Sequence, residues 1–244
     1  MSTTASLTEL LRSPGAVATR IREGRDLRTL ASASILAIVL GSAAYGAVVG
    51  SYRGGLQILF AGLKFPLVAL VTLSLVAPAL LGLSAAFERR MALAQAVALM
   101  LASTARTSLV LLAFAPALAL VMDMRPEYHD GALYAAAGFA LAGIAGLGML
   151  WRGLGVGEGR FTLAVLAVGV YVLVSGQAAW SLRPWLVRPS SPIAFVRAPH
   201  ESLVRELPRT VDSATGVYDE ERSRALSRQR ARSGWSPSSP EGAR

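Results

Sequence analysis

Five apolar stretches, over residues 29–50, 63–87, 92–121, 132–151 and 161–182, dominate this chain of 244 residues. An α-helix rises about 1.5 Å per residue and the hydrocarbon core of a bilayer is about 30 Å thick, so about 20 mostly apolar residues cross it. Every stretch reaches that length. In hydrocarbon each backbone N–H and C=O must be satisfied within the segment, which leaves the helix as the conformation for runs of this kind. The expected fold is all-α: a polytopic transmembrane helix bundle of five spans over residues 29–182. A basic N-terminal segment (1–28) precedes it, and a juxtamembrane segment (183–218) and a charged, largely disordered tail (219–244) follow.

Composition agrees: 53% of residues are hydrophobic and 16% are charged, a balance that soluble domains of this length rarely show. Lys64 is the only lysine, so the basic residues are otherwise Arg; with abundant Ala and Gly this points to a GC-rich bacterial genome. The chain has no Cys, which excludes disulfides, thiol nucleophiles and cysteine-ligated metals. The first apolar stretch begins after residue 28 and is of full span length, so it reads as a retained span and not as a cleavable signal.

Basic residues near span ends favour the cytoplasm. With the N-terminus inside, Arg12, Arg20, Arg22, Arg25, Arg28, Arg89, Arg90, Arg152 and Arg160 face the cytoplasm, against Arg53, Lys64, Arg125, Arg183, Arg188 and Arg197 outside. Nine against six favours a cytoplasmic N-terminus in a bacterial inner membrane. The tail weighs the other way, with eleven Arg and seven acids after residue 182. Long segments, however, translocate largely regardless of charge. Residues 54–62 are too few to cross as a helix and read as a surface or re-entrant piece. In the N-terminal segment, Leu7, Leu10 and Leu11 stand at helical spacing, Ser13-Pro14-Gly15 breaks the run, and Val17 and Ile21 follow among arginines. Either an interfacial amphipathic segment or a loose lead fits that pattern.

Ser42, Gly46 and Gly50 in the first span, and Gly138, Ala142 and Gly146 in the fourth, recur every four residues, as do the small-residue ridges on which helices approach closely in lipid. Pro78 and Pro116 lie inside the second and third spans, where each removes a backbone hydrogen bond and is expected to kink its helix.

Arg106 stands 16 residues after Arg90 and 17 before Asp123, near mid-membrane. A central Arg costs about 2.5–3.5 kcal/mol even on the gentler insertion scales, so its side chain should face the bundle interior or a wet cavity. Ser103, Thr104, Thr107 and Ser108 surround it in sequence, and no Asp or Glu lies in any of the five stretches. Its expected partners are carbonyls freed at the kinks, Gln177, or lipid phosphate. Three readings stay open. Arg106, Thr107, Ser103 and Gln177 form an anion or headgroup site; or Arg106 is a buried polar clamp; or the first half of the third stretch lies along the interface.

No catalytic, cofactor or metal site is expected. His129 and His200 lie outside the spans without metal-ligand spacing, and the alternating Gly153, Gly155, Gly157 and Gly159 lack the following Lys of a phosphate loop. In the Arg-rich end, interleaved acids and the lack of stacking aromatics argue against nucleic acid.

The segment Tyr45-Gly46-Ala47-Val48-Val49-Gly50-Ser51 closes the first span and Leu63-Lys64-Phe65-Pro66-Leu67 opens the second. Ala115-Pro116 lies in the third, and Arg183-Pro184-Trp185 follows the fifth. In these landmarks the chain resembles a family of bacterial five-span membrane proteins, mostly uncharacterised, that is distantly similar to the Yip family of membrane-trafficking proteins. The resemblance implies a scaffold that organises membrane and binds partners without catalytic residues. The expected function is thus a non-enzymatic integral membrane scaffold or accessory subunit. Its partners would be membrane lipid and another membrane protein or a second copy of itself. The alternative is a membrane-embedded component of a transport or export system, with an anion or headgroup site at Arg106.

Overall fold

The computed structural model describes residues 2–88, 91–124 and 128–182; the juxtamembrane segment and the tail, with Arg89, Arg90 and Arg125, lie outside them. The described residues form seven helices: α1 (Thr3–Arg12), α2 (Pro14–Arg22), α3 (Leu27–Ser51), α4 (Leu56–Ala86), α5 (Leu93–Asp123), α6 (Tyr128–Gly153) and α7 (Arg160–Leu182). Five of them, α3 to α7, are long and apolar enough to cross a membrane.

Local chemistry accounts for most of the boundaries. The Ala5 N–H donates to Ser2 Oγ at the start of α1 (3.3 Å), and Pro14 opens α2, where its missing N–H leaves nothing unsatisfied. The α3–α4 turn is made by Gly54 and Gly55, at φ +80° and +60°, values that side chains with a Cβ rarely adopt. At the start of α5 the Gln95 side chain accepts from the Ala92 N–H (2.8 Å) and donates to the Arg22 carbonyl (2.7 Å), tying the end of α2 to the bundle.

Two expectations change at α4. Residues 54–62 are not a separate surface or re-entrant piece; from Leu56 onward they are the first turns of a helix of 31 residues. The reason is the glycine ridge opposite. A Cβ on Gly50 would fall 2.5 Å from the Gln57 carbonyl oxygen, and one on Gly46 would fall 2.7 Å from that of Ala61. The two glycines therefore let this stretch pack directly on α3. At about 1.5 Å per residue, α4 is about 46 Å long and exceeds the hydrocarbon core unless tilted. Lys64 moves with it. Expected among the outer-side charges, it is 2% exposed, two turns inside α4.

In the bundle α3, α4 and α5 pack on one another, α6 lies against α5, and α7 against α4; at one end α1 rests on α3 and α2 on α6. The interior divides into two apolar clusters. The larger joins Leu10, Val17 and Ile21 of the N-terminal helices to Leu80, Leu99, Met149 and Leu163, and the smaller surrounds Tyr45, Phe65, Leu111 and Ala142. The outer surface is apolar too: Leu40, Leu59, Leu120, Ile144 and Leu173 are all more than half exposed. A soluble protein does not present such a belt, whereas a bilayer covers it. The chain is an integral, multi-pass membrane protein.

Within the N-terminal layer the polar contacts converge on Arg20. Arg20, 6% exposed, pairs with Glu9 of α1 (3.0 Å) and donates to the carbonyls of Arg25 (3.3 Å) and Asp26 (3.0 Å) in the turn before α3. Removing one partner of a buried pair costs about 3–5 kcal/mol where the other charge stays dry. Glu9 keeps some water contact, so Arg20→Ala should fall near the lower figure and detach α1 and α2 without unfolding α3 to α7. Faster amide exchange confined to residues 3–22 would verify this, and unchanged protection there would refute it.

A candidate polar site inside the bundle

The middle of α5 is unusually polar for a span. Ser103, Thr104 and Ser108 are buried, and Arg106 and Thr107 are partly buried. These side chains leave the helix in different directions and so meet different neighbours. Thr107 donates to the Ser103 carbonyl one turn back (3.3 Å), and both residues lie against Gly146 of α6, where a Cβ would collide with Thr107 Oγ1 and fall 2.9 Å from the Ser103 oxygen. Ser108 faces α3, its carbonyl pressed against Gly41. Around this stretch α5 thus meets α6 through Ser103 and Thr107 and α3 through the backbone of Ser108.

Arg106 does not share in this closure. Its Nη1 is buried without a hydrogen-bond partner. The expected partners lie elsewhere. Gln177 is on the exposed face of α7, and Pro78 and Pro116 both face outward. The helices run unbroken through the prolines. The carbonyls they free, on Ser74 and Leu112, belong to exposed residues as well. Of the four residues proposed to make a site, the structure brings Ser103 and Thr107 together around Gly146. It leaves Arg106 beside them with an unmet donor, and it does not bring Gln177 to that donor.

The two small-residue ridges both lie inside the bundle. Gly46 and Gly50 receive α4, as described, while Ser42 is buried and donates to its own helix at the Ile38 carbonyl. On α6, Gly146 receives α5, Ala142 is fully buried, and Gly138 lies under Tyr45, whose hydroxyl oxygen would be 2.7 Å from a Cβ there. Tyr45 donates to the Ala135 carbonyl (2.6 Å), and its ring stands edge-on to Phe65 at 6.0 Å and Phe139 at 6.5 Å, so three helices meet at one side chain. Close backbone approach and a satisfied interhelical hydrogen bond are the forces available between helices in lipid.

Four residues of consequence were missed in sequence. Gly41 carries the α3–α5 contact, and the signal was present: Ala33, Ala37 and Gly41 repeat every four residues, and all three are buried. Tyr45 had no local signal beyond being a polar aromatic within a span. Lys64 and Gln57, both 2% exposed, were misplaced because the start of α4 was. Among the described residues no group of three His, Cys, Asp or Glu could hold a metal ion. No protein-family model, no curated protein and no solved structure matches the chain.

Proposed function

We propose that this protein is a non-enzymatic membrane scaffold or accessory subunit: a fixed five-helix body that binds lipid and another membrane protein or a second copy of itself. Its place is the bacterial inner membrane, with a cytoplasmic N-terminus, and this is the role implied by the Yip-like landmarks. The observation that carries the reading is the interlock at Gly41, Gly46, Gly50, Gly138 and Gly146, where neighbouring atoms occupy the space of a Cβ. Helices in such contact cannot slide past one another without separating, and packed interfaces of this kind are not continuously deformable. A transport cycle that moved these helices against one another would have to break those contacts, whereas a platform keeps them. The full-length protein in liposomes should carry neither chloride nor phosphate, and in mild detergent it should retain a stoichiometric membrane partner or a second copy. Anion flux by the protein alone would overturn the reading.

One observation favours the alternative of a transport component: the buried, unpartnered Nη1 of Arg106 is the kind of donor an anion or headgroup would occupy. The two roles separate on one variant. If Arg106 is a clamp, Arg106→Ala lowers the unfolding midpoint in detergent and leaves liposomes as impermeable as before. In a pathway, the same variant abolishes anion flux at unchanged stability.

A further inference from the structure

The end of the bundle that carries the N-terminal layer contains a second basic site, built by α2 and, 130 residues further along the chain, the α6–α7 junction. Helix α2, the end of α6 and the loop into α7 line an open cleft of about 390 Å³, whose wall includes Arg22, Arg152 and Arg160 beside Thr19 and Val156. Each guanidinium is held by neutral oxygens. Arg22 donates from Nη1 to the Arg152 carbonyl (2.7 Å) and from Nη2 to Thr19 Oγ1 (3.0 Å), Arg152 donates to the Gly148 carbonyl (3.1 Å), and Arg160 donates to the Trp151 carbonyl. None of the three is paired with a carboxylate among the described residues. Arg160 Nε is buried without a partner, and its guanidinium lies 4.0 Å from the centre of the Trp151 ring. Bonds to carbonyls fix the orientation of a guanidinium and leave its charge uncompensated, so the cleft is a preorganised anion receptor.

The surroundings select the anion. The cleft sits where α6 ends and α7 begins, between the ends of two helices long enough to span, and the ends of spans are where headgroups meet a bundle. Beside it Trp151 (37% exposed) and Phe161 (70% exposed) stand edge-to-face at 6.4 Å, and Val156 is 94% exposed. Aromatic and aliphatic side chains bared next to clustered arginines match a molecule with a phosphate at one end and acyl chains at the other. A free phosphate would have no use for them. We infer that this cleft binds the headgroup phosphate of an anionic phospholipid, with Arg22, Arg152 and Arg160 on the phosphate and Trp151 and Phe161 against the upper acyl chain. The inference rests on the membrane location of the bundle and holds whether the protein acts as a scaffold or in transport.

The test uses full-length protein in phosphatidylcholine nanodiscs, titrated with phosphatidylglycerol. Lipid retained after release from the disc is counted by native mass spectrometry, and Trp fluorescence is followed with acyl-brominated phosphatidylglycerol. Each arginine near the surface contributes about 1 kcal/mol, so R160Q should weaken phosphatidylglycerol retention about 5-fold and R152Q/R160Q about 30-fold. R12Q, outside the cleft, should change nothing. Brominated phosphatidylglycerol should quench the wild type more strongly than brominated phosphatidylcholine does, whereas Trp151→Phe, through its other three tryptophans, should be quenched weakly and equally by both. If R152Q/R160Q does not keep the wild-type helical signal, R160K, which retains the charge, stands in for it and should lose less than R160Q. Equal retention by R160Q, R160K and the wild type would overturn the site. Displacement of the lipid by millimolar inorganic phosphate, with no loss on replacing Trp151, would mean a free-anion site and overturn the lipid assignment.

Discussion

Tyr45→Ala should lower the unfolding free energy of the bundle by about 3–5 kcal/mol, the range for removing a large buried aromatic ring. Tyr45 is 1% exposed and contributes twice. Its ring fills the space between Phe65 of α4 and Phe139 of α6, and its hydroxyl donates to the Ala135 carbonyl (2.6 Å). The second contribution separates cleanly in Tyr45→Phe, which keeps the ring. Interhelical hydrogen bonds in membrane proteins average about 0.6 kcal/mol and reach about 1.7, because the unfolded chain in lipid finds other partners. The phenylalanine variant should therefore lose at most about a third to three-fifths of what the alanine variant loses. Titration with a denaturing detergent, followed by far-ultraviolet circular dichroism, measures both. Equal losses would place the stabilisation in the hydroxyl, and a negligible loss for Tyr45→Ala would show that the aromatic cluster does not hold α6 to the bundle.

Gly41→Leu should be comparably severe. A Cβ at this position would collide with the Ser108 carbonyl oxygen and fall 2.7 Å from its carbon, and a backbone atom cannot step aside as a side chain can. Overpacking costs about 1–3 kcal/mol when neighbouring side chains can adjust, and a clash with a backbone carbonyl belongs at or above the top of that range. The expected result is a protein that inserts in the membrane yet elutes as aggregate in mild detergent, since insertion depends on the apolarity of α3 and not on its contact with α5. Gly82→Ala is the matched control. No atom lies within 4 Å of a Cβ there, and Ala is favoured over Gly in a helix interior by about 1 kcal/mol, so that variant should be unchanged or slightly more stable. Similar elution of the two variants would refute the close α3–α5 approach.

The contrast between the two glycines shows how far the candidate site could be read in sequence. Gly41 and Gly82 are both glycines in apolar spans, and only the neighbours that tertiary packing brings to one of them make it indispensable. Arg106 was legible by itself because a cation at mid-span has to be accommodated wherever it points. Its surroundings were not. The expected partners, Gln177 and the carbonyls freed by Pro78 and Pro116, proved to belong to exposed residues or faces, while the neighbour that α5 meets beside Arg106 is Gly146 of α6. The basic cleft was less legible still. Arg22, Arg152 and Arg160 were tallied only as topology markers, and 130 residues separate Arg22 from the carbonyl it binds.

What the sequence by itself determined is the set of properties local to each segment. Length and apolarity suffice for a span, so all five long helices were placed, four of them within a few residues of their ends, and with them the all-helical class and the membrane. The tertiary structure decided which face of each helix meets protein and which meets lipid. Apolar periodicity marks the inner face of a helix in water, but lipid and bundle interior are equally apolar, so the pattern is erased and packing, not hydrophobicity, selects the face. The start of α4 followed the same logic. Residues 56–62 became helix because Gly46 and Gly50 on another span admitted them, and that contact carried Lys64 from the membrane edge into the interior.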